Sequence, residues 1–304
     1  MQYLKVYKTV DEQADLLLKR GLVCDRETLI DRLSWINYYR LSGYLYPFRK
    51  KDSDDFIEGT NFDTIWVRYC FDRKLRLLML DGIARIEVGL KTAIVRVFAR
   101  EYGAFGYIKR ETLPNIPYKA YVELMSTMTR DMERSKAQFV VSFKEKYGDL
   151  EENLPLWMAV ELMTFGTMLK FFEGMQKNLQ NEISSKFGQQ KTAFISWLKS
   201  LNVVRNICAH HERLWNRMLG VSPILYPQNP VKRESSKWFS PIRIDNKRVF
   251  ASITLVLEML SVIAPKSGWK KRLLRLLEEY PQIPLCDMGF PDDWKKTPFF
   301  IGRS

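Results

Sequence analysis

Histidine is nearly absent from this 304-residue chain: there are two, side by side at 210 and 211. Cysteine is scarce too, with Cys24, Cys70, Cys208 and Cys286 the whole complement and no two of them in a CxxC pair. A structural zinc site therefore lacks ligands, and no metal or other cofactor is expected. Free thiols in a reducing cytoplasm are the simplest reading of such cysteine usage. Long apolar runs are missing as well. The most apolar stretch, 249–265, is interrupted by Glu258 and falls short of the ~20 residues a spanning helix needs, so it is expected to be a buried helix and no membrane is expected as a partner. Acidic residues occupy the N-terminal stretch where a secretion signal would have its apolar core, so no such signal is expected. No internal repeat, low-complexity tract or alternating strand pattern of useful length occurs. The composition, 46% apolar and 27% charged, excludes a disordered tail or a collagen-like chain. A chain of this size can build a core without disulfide or metal staples.

What is present is positive charge, net +13. Residues 1–60 balance, with ten basic and ten acidic side chains, so the surplus lies in the middle and at the end of the chain. Such an excess suits a polyanionic partner or serves solubility alone, and charge by itself does not separate the two. Apolar spacing of three and four predicts helices over 11–20, 28–39, 62–101, 119–147, 155–177, 189–217, 249–264 and 269–280. The tyrosine-rich stretch 36–48 is broken by Gly43 and Pro47, and the polar stretch 50–61 reads as a loop. The expected fold is all-α: an N-terminal helical and aromatic segment (1–60), a helical bundle core (61–230) and a C-terminal helical extension packed on it (231–304).

Both histidines fall in the segment SLNVVRNICAHHERLWNR, 200–217. On a helical wheel Arg205 lies on the apolar stripe of Phe194, Leu198, Leu201 and Cys208, where an unpaired guanidinium would be costly. Asn206 and His210, four apart, neighbour each other on another face. A guanidinium grips phosphate bidentately and an imidazole can move a proton near neutral pH. Together they suit cleavage of an RNA phosphodiester by its own 2′-hydroxyl, with Arg205 facing the developing charge, and that chemistry requires no metal. Arg205 and His210 are about 140° apart on an ideal helix. Either the helix is distorted near His210 or a second copy completes the site across a two-fold axis, and the second is favoured. The competing reading pairs Arg205 with a buried acid such as Glu161 and leaves the histidines to cap or pack.

The run Arg205-Asn206-Ile207-Cys208-Ala209-His210 resembles the Arg-x4-His motif of the HEPN superfamily. More narrowly, the chain resembles the Abi-like family of abortive-infection proteins, of the AbiD/AbiF type. The resemblance is carried by INYYRLSGYLYPFR (36–49), FDRKLRLLML (71–80), IARIEVGLKT (83–92), LWMAVELMTFGTM (156–168), WLKSLNVVRNICAHHERLWNR (197–217) and GFPDDW (289–294). It implies a HEPN-type bundle, usually dimeric, with a metal-independent ribonuclease site where two motif helices meet. It implies phage defence by RNA damage, and control by a small noncoding RNA. Arg205, Asn206 and His210 carry over as catalytic residues, with His211 adjacent but off the motif position.

Other residues carry weaker expectations. Glu161, in an apolar helix, would orient Arg205 or form an unrelated ion pair. Asp72, Arg73, Lys74, Arg76 and Glu87 read as a solvated or ion-paired face, favoured over an RNA contact. Tyr38, Tyr39, Tyr44 and Tyr46 would stack on unpaired bases or pack a helical corner. Lys270, Lys271, Arg272 and Arg275 form a basic face suited to RNA docking or to solubility. The expected function is an endoribonuclease toxin leaving 2′,3′-cyclic phosphate ends. The alternative is a non-catalytic protein that scaffolds a structured noncoding RNA.

Overall fold

Residues 6–301 are described by a computed structural model, Pro230 through its backbone only. The fold is all-α: thirteen α-helices and no strand among the described residues, with only isolated bridges at Val23–Asn61 and Arg49–Phe56. In chain order the helices are α1 (Val10–Lys19), α2 (Arg26–Trp35), α3 (Tyr38–Leu45), α4 (Phe62–Tyr102), α5 (Tyr118–Arg134), α6 (Gln138–Tyr147), α7 (Leu156–Leu162), α8 (Phe165–Gly174), α9 (Lys177–Lys186), α10 (Lys191–Ala209), α11 (Pro230–Glu234), α12 (Val249–Ile263) and α13 (Trp269–Glu279).

The axis of the molecule is α4, 41 residues long, or about 60 Å at 1.5 Å per residue. Its first turn is closed by the Asn61 side chain, which accepts from the Asp63 N–H at 2.7 Å. Gly103 ends it at φ +72, a conformation glycine adopts without strain. The buried residues Phe71, Leu75, Met79, Ile83, Ile86, Leu90, Ile94 and Val97 carry the predicted period along its length. Helices α3, α7, α9, α10, α12 and α13 all lean on α4. Gly82 lets the C-terminal helices approach: a Cβ there would stand 2.6 Å from Val256 Cγ1 and 2.8 Å from Trp269 Nε1. Trp269, fully buried, donates its indole N–H to the Leu78 carbonyl at 2.8 Å.

Four predicted helices end or divide differently, each for a local reason. The stretch 28–39 stops at Trp35, because Ile36 is extended and Asn37 starts α3 by accepting from the Tyr39 N–H at 2.8 Å. The tyrosine-rich corner is thus itself helical. The stretch 119–147 divides at Ser135, whose backbone is extended and whose hydroxyl accepts from the Ala137 N–H at 3.3 Å. The stretch 155–177 divides at Met163, also extended, where Thr164 restarts the chain as α8 by accepting from the Thr167 N–H at 3.2 Å. The stretch 189–217 ends at Ala209, eight residues early, and this end builds the candidate site.

Candidate functional site at the end of α10

Helix α10 buries Phe194, Trp197, Leu198, Leu201, Val204, Ile207 and Cys208. Burial drives the Cys208 thiol up to about 12, with the negative charge of Asp72 adding to the effect and Arg76 opposing it. Arg205 sits beside this stripe rather than within it, partly exposed, and donates to Asn206 Oδ1 at 3.3 Å. The predicted buried partner is not there. Glu161 is exposed on α7, and its backbone carbonyl accepts from Lys91 Nζ at 3.3 Å. Solvent hydrates both groups, so neither requires the other.

The helix closes at His210. The His210 N–H makes the last helical bond, to the Asn206 carbonyl at 2.9 Å. His211 then turns left-handed at φ +58, where glycine is usual. Its N–H reaches the Cys208 carbonyl at 3.1 Å, and the Glu212 N–H reaches Ile207 at 2.9 Å. These two bonds form a complete Schellman turn. His210 is the cap, yet its N–H still follows the helical ladder and its φ of -86 departs little from helical, so the wheel separation of about 140° from Arg205 still holds approximately. Arg205 and Asn206 touch, and the exposed His210 and His211 stand at the open end of the helix just beyond them.

The chain beyond the turn is pinned from several sides. Arg40 of α3 donates to the His211 carbonyl, Arg213 donates to the Gly43 carbonyl, and Arg217 pairs with Glu212. Beneath them lies a group that sequence reasoning put on a solvated or ion-paired face: the ion pair is there, and it is buried. Asp72 of α4 is 0% exposed and Arg76 5%. Asp72 Oδ2 accepts from Arg76 Nη1 at 2.5 Å and from the Tyr44 hydroxyl at 2.5 Å. Arg76 Nη1 also donates to the Tyr44 oxygen at 2.9 Å. The carboxylate in addition receives the Leu214 N–H at 3.1 Å and the Trp215 N–H at 2.8 Å. Burial raises the Asp72 carboxyl above its ordinary value, opposed by Arg76, Tyr44 and the two backbone donors. Burial likewise raises the Tyr44 hydroxyl, reinforced by the charge of Asp72. A usable signal lay in the sequence: Asp72 and Arg76 are four apart on α4, flanked by the buried Phe71 and Leu75.

The remaining expected residues scatter. Tyr38 is half-buried and its hydroxyl accepts from Arg20 Nη1 at 3.2 Å, a packing role, whereas Tyr39 is 86% exposed. Arg272 pairs with Asp81 of α4. Lys270 reaches the Phe300 carbonyl at 3.4 Å, and burial lowers its ammonium below the ordinary value. Lys271 and Arg275 are exposed. Lys270 and Lys271 line a cleft of about 800 Å³ between α12, α13 and the chain's final aromatic residues. Glu87 pairs with Lys91 at 3.3 Å, and Lys74 pairs with Glu279.

Among the described residues, no helix is long and apolar enough to cross a membrane, and no three His, Cys, Asp or Glu side chains gather where they could hold a metal ion. Comparison with curated proteins and with solved structures returned no significant match. A family model described as Abi-like protein matches residues 31–216, which run from α2 through α3 and α4 to the segment after α10 and so take in the whole site. The match covers well over half of the chain, which thus belongs to the Abi-like protein family, and that membership points to a role in abortive infection.

Proposed function

We propose that this protein is a metal-independent endoribonuclease of a bacterial abortive-infection system, active as a homodimer and held in check by a small structured noncoding RNA. The observation that carries the reading is the end of α10, where Arg205 donates to the exposed Asn206, no acidic side chain among the described residues is bonded to its guanidinium, and the exposed His210 caps the same helix. A general base and a permanent cation within a turn and a half of chain match what RNA self-cleavage requires. One His210 takes the proton from a ribose 2′-hydroxyl. The freed oxygen attacks the adjacent phosphorus, and the bond to the 5′-oxygen breaks. The leaving oxygen collects a proton from the second copy's imidazole. Arg205 faces the extra negative charge on the five-coordinate phosphorus, while Asn206 orients the guanidinium through its amide oxygen. The products are a 2′,3′-cyclic phosphate and a 5′-hydroxyl.

The test is cleavage of RNA by purified protein in the presence of a chelator. His210→Ala and Arg205→Ala each lower turnover by at least about a hundredfold while the helical circular dichroism is unchanged. Cleavage that survives in both variants removes the assigned site. RNA that copurifies with the protein and binds in a salt-dependent way, with no turnover under any condition, replaces the enzyme with a scaffold.

A further inference from the structure

The buried Asp72–Arg76–Tyr44 cluster does more than tie α3 to α4. Its carboxylate spends its acceptor capacity on Leu214 and Trp215, two consecutive backbone N–H groups 142 and 143 residues away in sequence. Neither N–H belongs to a helix. Had the cluster served only to neutralise Arg76, the tyrosine and the guanidinium would have satisfied it. We propose that Asp72 is a positioning residue: it holds the segment that follows α10 and through it sets where His210 and His211 stand.

Geometry supports this in three ways. Leu214 lies four residues beyond His210, at most about 14 Å of chain, so only a few backbone dihedrals separate the held N–H groups from the histidines. The chain between them is already restrained, by the Schellman bonds on one side and by the two arginine contacts with α3 on the other. Finally, Leu214 and Trp215 are fully buried, so their N–H groups cannot turn to water if the carboxylate is lost. A fully satisfied buried polar network is stiff, and stiffness behind a reacting side chain is what catalysis needs.

The kinetic part of this inference rests on the ribonuclease reading; the positional part does not. The chain contains only two histidines, both in this turn, so an imidazole-selective NMR spectrum of tag-free protein reports the site and nothing else. Asp72→Asn keeps the shape, yet presents amide hydrogens to groups that need an acceptor and leaves Arg76 unpaired. The expected result is movement or broadening of both imidazole signals. If wild type cleaves RNA, kcat falls about tenfold to a hundredfold with KM within about twofold. Asp72→Asn with Arg76→Gln removes both charges; it regains much of the thermal midpoint but not the wild-type imidazole signals. If Asp72→Asn does not fold, Tyr44→Phe decides the matter, moving the same signals by less. Leu124→Ala on α5, which leans on α7 and α8, serves as a destabilised control with unmoved signals. Unchanged imidazole signals in Asp72→Asn and Tyr44→Phe, or full recovery of signals with stability in the double variant, would reduce Asp72 to a structural ion pair. A wild type without nuclease activity defeats the ribonuclease reading, while the spectra still decide this one.

Discussion

Gly82 and Gly89 sit one heptad apart on α4, and the same substitution at each is expected to have opposite signs. Replacing an interior helical glycine by alanine gains about 1 kcal/mol of helix propensity. At Gly82 the new methyl group would stand 2.6 Å from Val256 Cγ1, 2.8 Å from Trp269 Nε1 and 3.2 Å from Trp269 Cε2. An indole buried on all sides cannot rotate away, so α12 and α13 must shift, an overpacking cost of about 1–3 kcal/mol. Any shift of Trp269 also stretches its bond to the Leu78 carbonyl, and an unmade buried hydrogen bond costs about 1–3 kcal/mol. Set against the propensity gain, Gly82→Ala loses about 3 kcal/mol, or about 5 °C of thermal midpoint for a chain of this length. At Gly89 the nearest atoms are Ile263 Cδ1 at 3.3 Å and Cγ2 at 3.4 Å, the end of a movable side chain. There the propensity term wins, and Gly89→Ala is neutral or more stable by up to about 1 kcal/mol. Urea unfolding with an unchanged m-value measures both. A Gly82→Ala protein as stable as wild type, or equal losses at the two positions, would refute this account of how the C-terminal helices seat on α4.

Other expectations follow from the same geometry. His211→Gly places glycine at φ +58 and raises stability by about 1 kcal/mol; RNA cleavage persists in it, because the contact with Arg40 uses the backbone carbonyl, and a dead His211→Gly enzyme would instead give His211 a chemical role. Thiol labelling of native protein modifies the exposed Cys286 quickly and leaves buried Cys208 unreacted until unfolding, which mass spectrometry of the labelled peptides checks. The Cys208 thiol is held up at about 12 against an ordinary value of 9.0. Its contribution is therefore fully present below pH 9 and lost as pH rises toward 12, so denaturation midpoints fall between pH 9 and 10.5 less steeply in Cys208→Ala than in wild type.

Much of the architecture was legible because helices announce themselves locally. The buried periodicity of α4, the Asn61 oxygen at its start and Gly103 at its end lie within a few residues of what they control. The three interrupted predictions failed where one short polar side chain, at Asn37, Ser135 or Thr164, outcompeted continuation of the helix. That competition is also local, but too finely balanced for periodicity to reveal. The candidate site divides in the same way. Residue type drew attention to Arg205, Asn206 and His210, since the chain's only two histidines fall close to an arginine and an asparagine, but spacing alone left them a chance match and it was the family resemblance that gave them a role. The joining of Asp72, Arg76 and Tyr44 in one buried network was not legible, because a charged pair on a helix reads equally as solvated or ion-paired, and a tyrosine as stacking or packing, unless the partners that bury them are known.

The amino-acid order by itself determined the all-α class, the extent of the long central helix and the short list of groups able to do chemistry, because helical period, caps and side-chain type are properties of neighbouring residues. Tertiary structure alone decided that a carboxylate from α4 receives the chain just beyond the local turn that ends α10. Such a contact needs a donor and an acceptor more than a hundred residues apart in sequence, and only the folded chain brings the two within reach of each other.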